Sequence, residues 1–195
     1  MDFAKKLKLR LSDIIKLEKP DALSSRYGKA FEKAVLALIK AKDAVVAIKT
    51  FIENYGEPHT GAIGKLMKLS PWAKKVVEIE PAPPVTLQID GVTITAQADF
   101  IVKYSDGKRE LIELKSHILK SGEWKTKAEW SLATRIMRML YRRAGYDMPL
   151  RLIYFVERGG KVLPEEEVYI YPKDNKDDET ILNVLRDRVK KSLGK

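Results

Sequence analysis

The stretch GVTITAQADFIVKYSDGKRELIELKSHI, Gly91–Ile118, is where the fold of this chain can be read. Apolar and polar side chains alternate on either side of Ser105-Asp106-Gly107, the period-two pattern of two strands joined by a tight turn. With Gly107 at the left-handed position of a three-residue loop, Tyr104 faces Lys108 and, counting back, Asp99 falls opposite Glu113. Directly opposed residues share a face with Cβ atoms about 4.5–5.5 Å apart. Lys115, two residues past Glu113, joins that face. Phe100, Val102, Tyr104, Ile112 and Leu114 take the other face, as core. One greasy face is expected, and one that gathers two carboxylates and an amine.

Two carboxylates held that close repel, and burying them without a counter-charge costs several kcal/mol or forces one to take a proton. Two resolutions are open. Asp99, Glu113 and a backbone carbonyl, that of Leu114, make an oxygen site for Mg²⁺ or Mn²⁺ that is completed by waters and phosphate. Alternatively, Asp99 and Lys115 form a cross-strand ion pair on a solvated sheet face. An acidic residue two before a lysine also occurs at Asp106/Lys108, Glu123/Lys125 and Asp174/Lys176, so the tripeptide alone has little value. Only Glu113-Leu114-Lys115 lies in an apolar strand pattern with an Asp in register beside it.

Outward from the hairpin, Val76–Glu80 and Val85–Ile89 read as further strands, and Val92–Tyr104 as one continuous strand. Asp90-Gly91 reads as a hairpin turn. Towards the N-terminus, Tyr27, Phe31, Val35 and Leu38 stand at helical spacing in a segment read as one helix from Asp21 to about Thr50. Tyr55–Pro71 holds three glycines and two prolines and reads as a connection with at most a short helix at Ala62–Lys68. Residues 1–19 fit helix or strand. Towards the C-terminus, a helix at Lys125–Arg143 carries Leu132, Ile136 and Leu140. Strands at Leu150–Val156 and Val168–Tyr171 follow, then a helix at Asp178–Lys191 with acids at its start and bases at its end. One sheet with helices packed on it is expected, in a single domain over 1–195. That domain comprises a helical part to about 70, a β-meander core at about 76–156 and a terminal strand and helix at about 165–195.

Composition bounds the chemistry. The 195 residues include 37 Lys+Arg against 27 Asp+Glu, a net charge of +10, and no Cys. Disulfides, thiolate metal sites and cysteine nucleophiles are excluded. Two His, His59 and His117, are too few for a histidine-built metal centre, so a bound metal would be a hard, carboxylate-held ion. No apolar run reaches the roughly 18 residues of a membrane span, and an intracellular, cytoplasmic location is expected. Scarce Gln and Asn beside abundant Lys and Glu point to a thermophilic source. The positive surplus fits a polyanionic partner, and Lys115–Arg143 concentrates it, with eight basic residues against two acidic. Arg135, Arg138 and Arg142 form one stripe at i, i+3 and i+7, expected to face solvent and, with Lys125 and Lys127, to contact nucleic-acid phosphates. Trp124 and Trp130 read as packing residues before stacking platforms.

Asp99, then Glu113-x-Lys115 on the next strand, preceded by Gly28-x-x-x-Glu32 on a helix, resembles the PD-(D/E)xK nuclease superfamily, most closely its RecB-like branch, over roughly Ser25–Val156. The resemblance implies an α/β restriction-endonuclease-like fold, a central mixed sheet flanked by helices. It also implies metal binding by Asp99 and Glu113, a catalytic Lys115, and Glu32 as auxiliary ligand or base. The implied activity is Mg²⁺- or Mn²⁺-dependent hydrolysis of single-stranded, duplex-end or branched DNA. RecB-like members carry Gln-x-x-x-Tyr on the helix after the lysine strand, where this chain has Glu129 and Ala133 at the matching positions. The related archaeal junction resolvases share a Glu…Asp…Glu-x-Lys-Ser series, matched by Glu32, Asp99, Glu113, Lys115 and Ser116, which would imply a homodimer. The non-enzymatic alternative is a DNA-binding protein whose carboxylates are only structural.

Overall fold

A computed structural model describes residues 8–11, 14, 22–119, 127–158, 161–162, 168–171 and 178–192. Strand β1 (Lys8–Arg10) precedes three helices, α1 (Ala22–Ala41), α2 (Ala44–Tyr55) and α3 (Thr60–Ala73). Strands β2 (Val76–Pro81), β3 (Val85–Ile89), β4 (Val92–Ala96), β5 (Phe100–Tyr104) and β6 (Arg109–Leu119) follow. Helix α4 (Lys127–Arg143), strands β7 (Leu150–Arg158), β8 (Lys161–Val162) and β9 (Val168–Tyr171), and helix α5 (Asp178–Ser192) complete the described chain.

The main sheet runs β2-β5-β6-β7-β8, with β9 also on β7, and β6 and β7 are parallel across the α4 crossover. Its two faces are covered by different helices. Phe100, Val102, Ile112 and Ile153 pack against Tyr27, Phe31, Val35 and Leu38 of α1 and against residues of α2 and α3. Ile101 and Leu111, on the opposite face, pack beneath Ile136 and Leu140 of α4 and Leu185 of α5. Burying both faces fits the near-continuous apolar character of β5.

Three expectations of element layout are corrected. The first helix does not run to Thr50, because Lys42 takes a left-handed φ of +59° and Asp43 caps a new helix by accepting from the Val45 N–H at 2.7 Å. The Lys42 ammonium then reaches the carbonyls of Ala73 and Val76 and ties this break to the start of β2. Tyr55–Pro71 is largely helical, because Ala62, Leu66, Leu69 and Ala73 form a buried stripe whose packing outweighs two interior glycines. Pro71 lies inside the helix, where it removes one backbone donor, and the helix ends two residues later at Ala73.

The third correction bears on the site. Val92–Tyr104 is two strands in two sheets: β4 belongs to a small sheet, β1-β4-β3, and β5 to the main one. The chain crosses between them at Gln97-Ala98-Asp99. The turns behave as expected, since Asp90 and Gly91 both have positive φ, +48° and +79°, as a two-residue type I′ hairpin requires, and Gly107 is left-handed at +81°. No helix among the described residues is long and apolar enough to cross a membrane.

Candidate active site

The β5–β6 ladder has the register counted from the turn, Lys103 opposite Arg109 through Phe100 opposite Ile112. It stops one residue short of Asp99, which lies in the bend between the sheets and so does not pair directly with Glu113. Instead its N–H donates to the Ile112 carbonyl at 3.0 Å, and its Oδ2 accepts from the Leu114 N–H at 2.6 Å. Asp99 is thus hung on the backbone on either side of Glu113.

Glu113 is on the face of Leu111, and α4 covers that face. Its surroundings differ from those expected: the face is a second core, and Glu113 is only 3% exposed. A solvated cross-strand pair between Asp99 and Lys115 does not describe such a site. Lys115, whose side chain keeps 29% exposure, ion-pairs with Glu113 Oε1. Glu113 Oε2 is buried with no hydrogen-bond partner among the described residues.

Burial pushes the Glu113 carboxyl up to about 7, Lys115 pulls it down, and the Asp99 charge raises it further. Asp99 is also raised by burial, against Lys115 and the Leu114 N–H. Burial alone would discharge Lys115, but Glu113 and then Asp99 outweigh it and hold the ammonium above its ordinary value. Two carboxylates therefore share the Lys115 ammonium. Glu32, at the exposed edge of α1, feels the same group: desolvation and then Asp99 raise its carboxyl, while Lys115, Lys29 and Lys33 lower it. Four residues singled out from the sequence, Glu32, Asp99, Glu113 and Lys115, are in this way electrostatically coupled. A side chain at Gly28, one turn before Glu32, would meet nothing within 4 Å among the described residues, so packing does not require the glycine.

Tyr141 of α4 was not identified from the sequence. Its hydroxyl donates to the Pro83 carbonyl at 2.6 Å and accepts from the Ala98 N–H at 2.9 Å, clamping the bend that delivers Asp99. Burial pushes this phenol up to about 12, with Ala98 opposing and Glu113 adding to the rise. The available signal was a tyrosine on the helix after the lysine strand, two turns beyond the positions matched from the resemblance.

The basic stripe of α4 is not the exposed row expected. Arg138 is 5% exposed, and Arg142 lies 3.5 Å from Asp178 of α5. Arg143 pairs with Glu179 at 2.9 Å. Arg135 is half-buried, and α5 takes up much of this helix's charge. Lys125 lies outside the described residues, as do the side chains of Lys127, Ser116, His117, Trp124 and Trp130. His59 packs edge-on against Tyr27 at 5.0 Å, within the helical core.

The donor set suits a hard divalent ion. Among the described residues no three His, Cys, Asp or Glu side chains form a complete metal cluster. Magnesium needs none, since it keeps several waters and is held by one or two carboxylates plus phosphate. The unpartnered, buried Glu113 Oε2 beside Asp99 is the atom such an ion would satisfy.

No family model matches the chain, and no curated protein does. Among solved structures, a crystal structure from Eubacterium rectale described as "Putative exonuclease" is similar with a TM-score of 0.53 at 10% identity, over 97% of this chain and 81% of its own. That likeness is one of fold. The crystal structure of SSO0001 gives a TM-score of 0.44 at 13% identity, over 96% of this chain and 78% of its own, too low to carry weight. The chain has the restriction-endonuclease-like α/β arrangement, a central mixed sheet flanked by helices.

Proposed function

We propose that this chain is a divalent-metal-dependent nuclease of the PD-(D/E)xK type, in its RecB-like branch, hydrolysing DNA phosphodiester bonds. The observation that carries the reading is the buried Glu113 Oε2, which has no hydrogen-bond partner among the described residues, beside Asp99 and with Lys115 paired to the other oxygen. A structural ion pair has no use for the second carboxylate, whereas a cation does. The fold of the exonuclease-named crystal structure supports the same class.

In this reading Asp99, Glu113 and the Leu114 carbonyl hold Mg²⁺ or Mn²⁺, which when bound polarises a phosphoryl oxygen and lowers the pKa of water. Lys115 stabilises negative charge growing on the phosphoryl oxygens, aimed by its pair with Glu113. Glu32, with its raised pKa, accepts a proton from the attacking water. A P–O bond forms to water, the bond to the leaving oxygen breaks, and that oxygen is protonated from solvent. Tyr141 acts through Asp99, by fixing the bend.

The test is cleavage of labelled single-stranded, linear duplex, circular and four-way-junction DNA with Mg²⁺, Mn²⁺ or EDTA. Metal-dependent products from the wild type and none from Asp99→Ala are expected. Identical products from both proteins would assign the activity to a contaminant and remove the site.

A further inference from the structure

A cleft of about 440 Å³ opens between α1 and α2, lined by Ser25, Arg26, Lys29, Ala30, Lys33 and Asn54, with no acidic residue in its wall. Its three cations are at i, i+3 and i+7 on α1, so they form one row spanning about 10 Å of helix. All three are exposed. They are also aimed. The Arg26 guanidinium stands over the Tyr55 ring at 5.7 Å and fills the space a side chain at Gly56 would take. The Lys33 ammonium donates to Asn54 Oδ1 at 2.7 Å, and the Asn54 amide donates in turn to the Thr50 carbonyl at 2.8 Å. A neutral amide orients that lysine without cancelling its charge.

The row adjoins Glu32 of the candidate active site. Glu32 stands between Lys29 and Lys33 in sequence, and both lysines act on its carboxyl alongside Asp99 and Lys115. A polyanion lying on Arg26, Lys29 and Lys33 would therefore lead past Glu32 to Asp99 and Glu113. We infer that the α1–α2 cleft is the phosphate track of this protein, holding the backbone of a DNA strand by about three consecutive phosphates next to the cleavage site. The inference rests on the nuclease reading and adds the surface that presents the substrate. Contacts of this kind position the backbone and read no bases.

The test is fluorescence anisotropy with a fluorescein-labelled single-stranded 30-mer of mixed sequence, in EDTA so that nothing is cut, across a salt series. Two variants are compared with the wild type: Arg26→Ala/Lys29→Ala/Lys33→Ala, and Lys29→Gln/Lys33→Gln, which leaves the Arg26–Tyr55 contact intact. Lys190→Ala/Lys191→Ala on exposed positions of α5 is the control. The triple variant is expected to lose about tenfold or more in affinity at 0.1 M salt, and the slope of log K against log salt to flatten by about two. The double variant should show about two-thirds of that flattening and the control none. Wild-type affinity and slope in both cleft variants would overturn the inference. So would binding of the wild type to phosphatidylglycerol vesicles but not to the 30-mer. Metal-dependent cleavage with undiminished binding by the triple variant would sink the cleft alone; cleft-dependent binding with cleavage in no metal would sink the catalytic reading alone.

Discussion

Helices α1 and α4 lie on opposite faces of the main sheet, and each carries three cations at i, i+3 and i+7: Arg26, Lys29 and Lys33 on one, Arg135, Arg138 and Arg142 on the other. Their fates differ. On α4 the middle arginine is buried and the last pairs with Asp178, because α5 packs against that helix. On α1 the same spacing opens onto a cleft in which Lys33 donates to a neutral amide, that of Asn54. Charge spacing on a helix specifies a row, and the neighbouring element decides whether that row faces solvent or closes a core.

The largest effect should come from the α4 row. Arg138→Ala is expected to destabilise the fold by about 3 kcal/mol, since it empties a buried site. Urea unfolding measures this. The same variant, assayed where it is folded, should leave the salt dependence of DNA binding unchanged. A stable Arg138→Ala protein with a flattened salt slope would reverse the comparison.

Glu113 gives the next effect, in metal-free protein. Its folded pKa is raised to about 7 from a usual 4.5, so its stabilising contribution is complete below about pH 4.5 and is lost as pH rises through 7. Glu113→Gln removes that loss, while Lys115 keeps Asp99 as a counter-charge. At pH 8 the variant should melt above the wild type by an amount worth roughly 3 kcal/mol, and near pH 4.5 the two should converge. Mg²⁺ or Mn²⁺ should raise the wild-type melting temperature at pH 8 and leave Glu113→Gln unmoved. A variant less stable than wild type at pH 8 would show that the second carboxylate is structural.

Tyr141→Phe removes one donor and one acceptor at the Ala98 bend and should cost about 1–2 kcal/mol. It should also lower kcat with little change in KM, because the loosened group is Asp99 and the cleft is untouched. A stability loss with unchanged kcat would make the clamp purely structural. The smallest effect is on α1: Gly28→Ala should stabilise the protein by about 0.5–1 kcal/mol, as no atom obstructs the new methyl. Gly28→Leu should reduce cleavage by crowding Glu32, and equal cleavage by both variants would show that the space beside Glu32 has no role.

The hairpin was the most legible part. Its register follows from a turn whose geometry a glycine dictates, and counting along a strand then places Asp99, Glu113 and Lys115 together. The core row of α1 was equally readable, since Tyr27, Phe31, Val35 and Leu38 repeat at the helical period. The crossing at Gln97-Ala98-Asp99 was not, because the alternation that starts at Val92 runs unbroken through the crossing to Phe100. What breaks the strand is Tyr141, 43 residues from Ala98 in the chain. Helix α3 was obscured for a related reason: glycine and proline signal local preference, and packing against α1 and α2 overrides it.

From its own residues the chain determined a basic α/β protein without cysteine chemistry, two hairpin turns, and the acid–acid–lysine grouping, because periods and turn residues act over a few positions. Only the folded molecule decided that Glu113 is sealed beneath α4, that Asp99 hangs on the backbone of Ile112 and Leu114, and which row of cations stays in water. Those outcomes depend on what covers a face, and the covering elements arrive from distant parts of the chain.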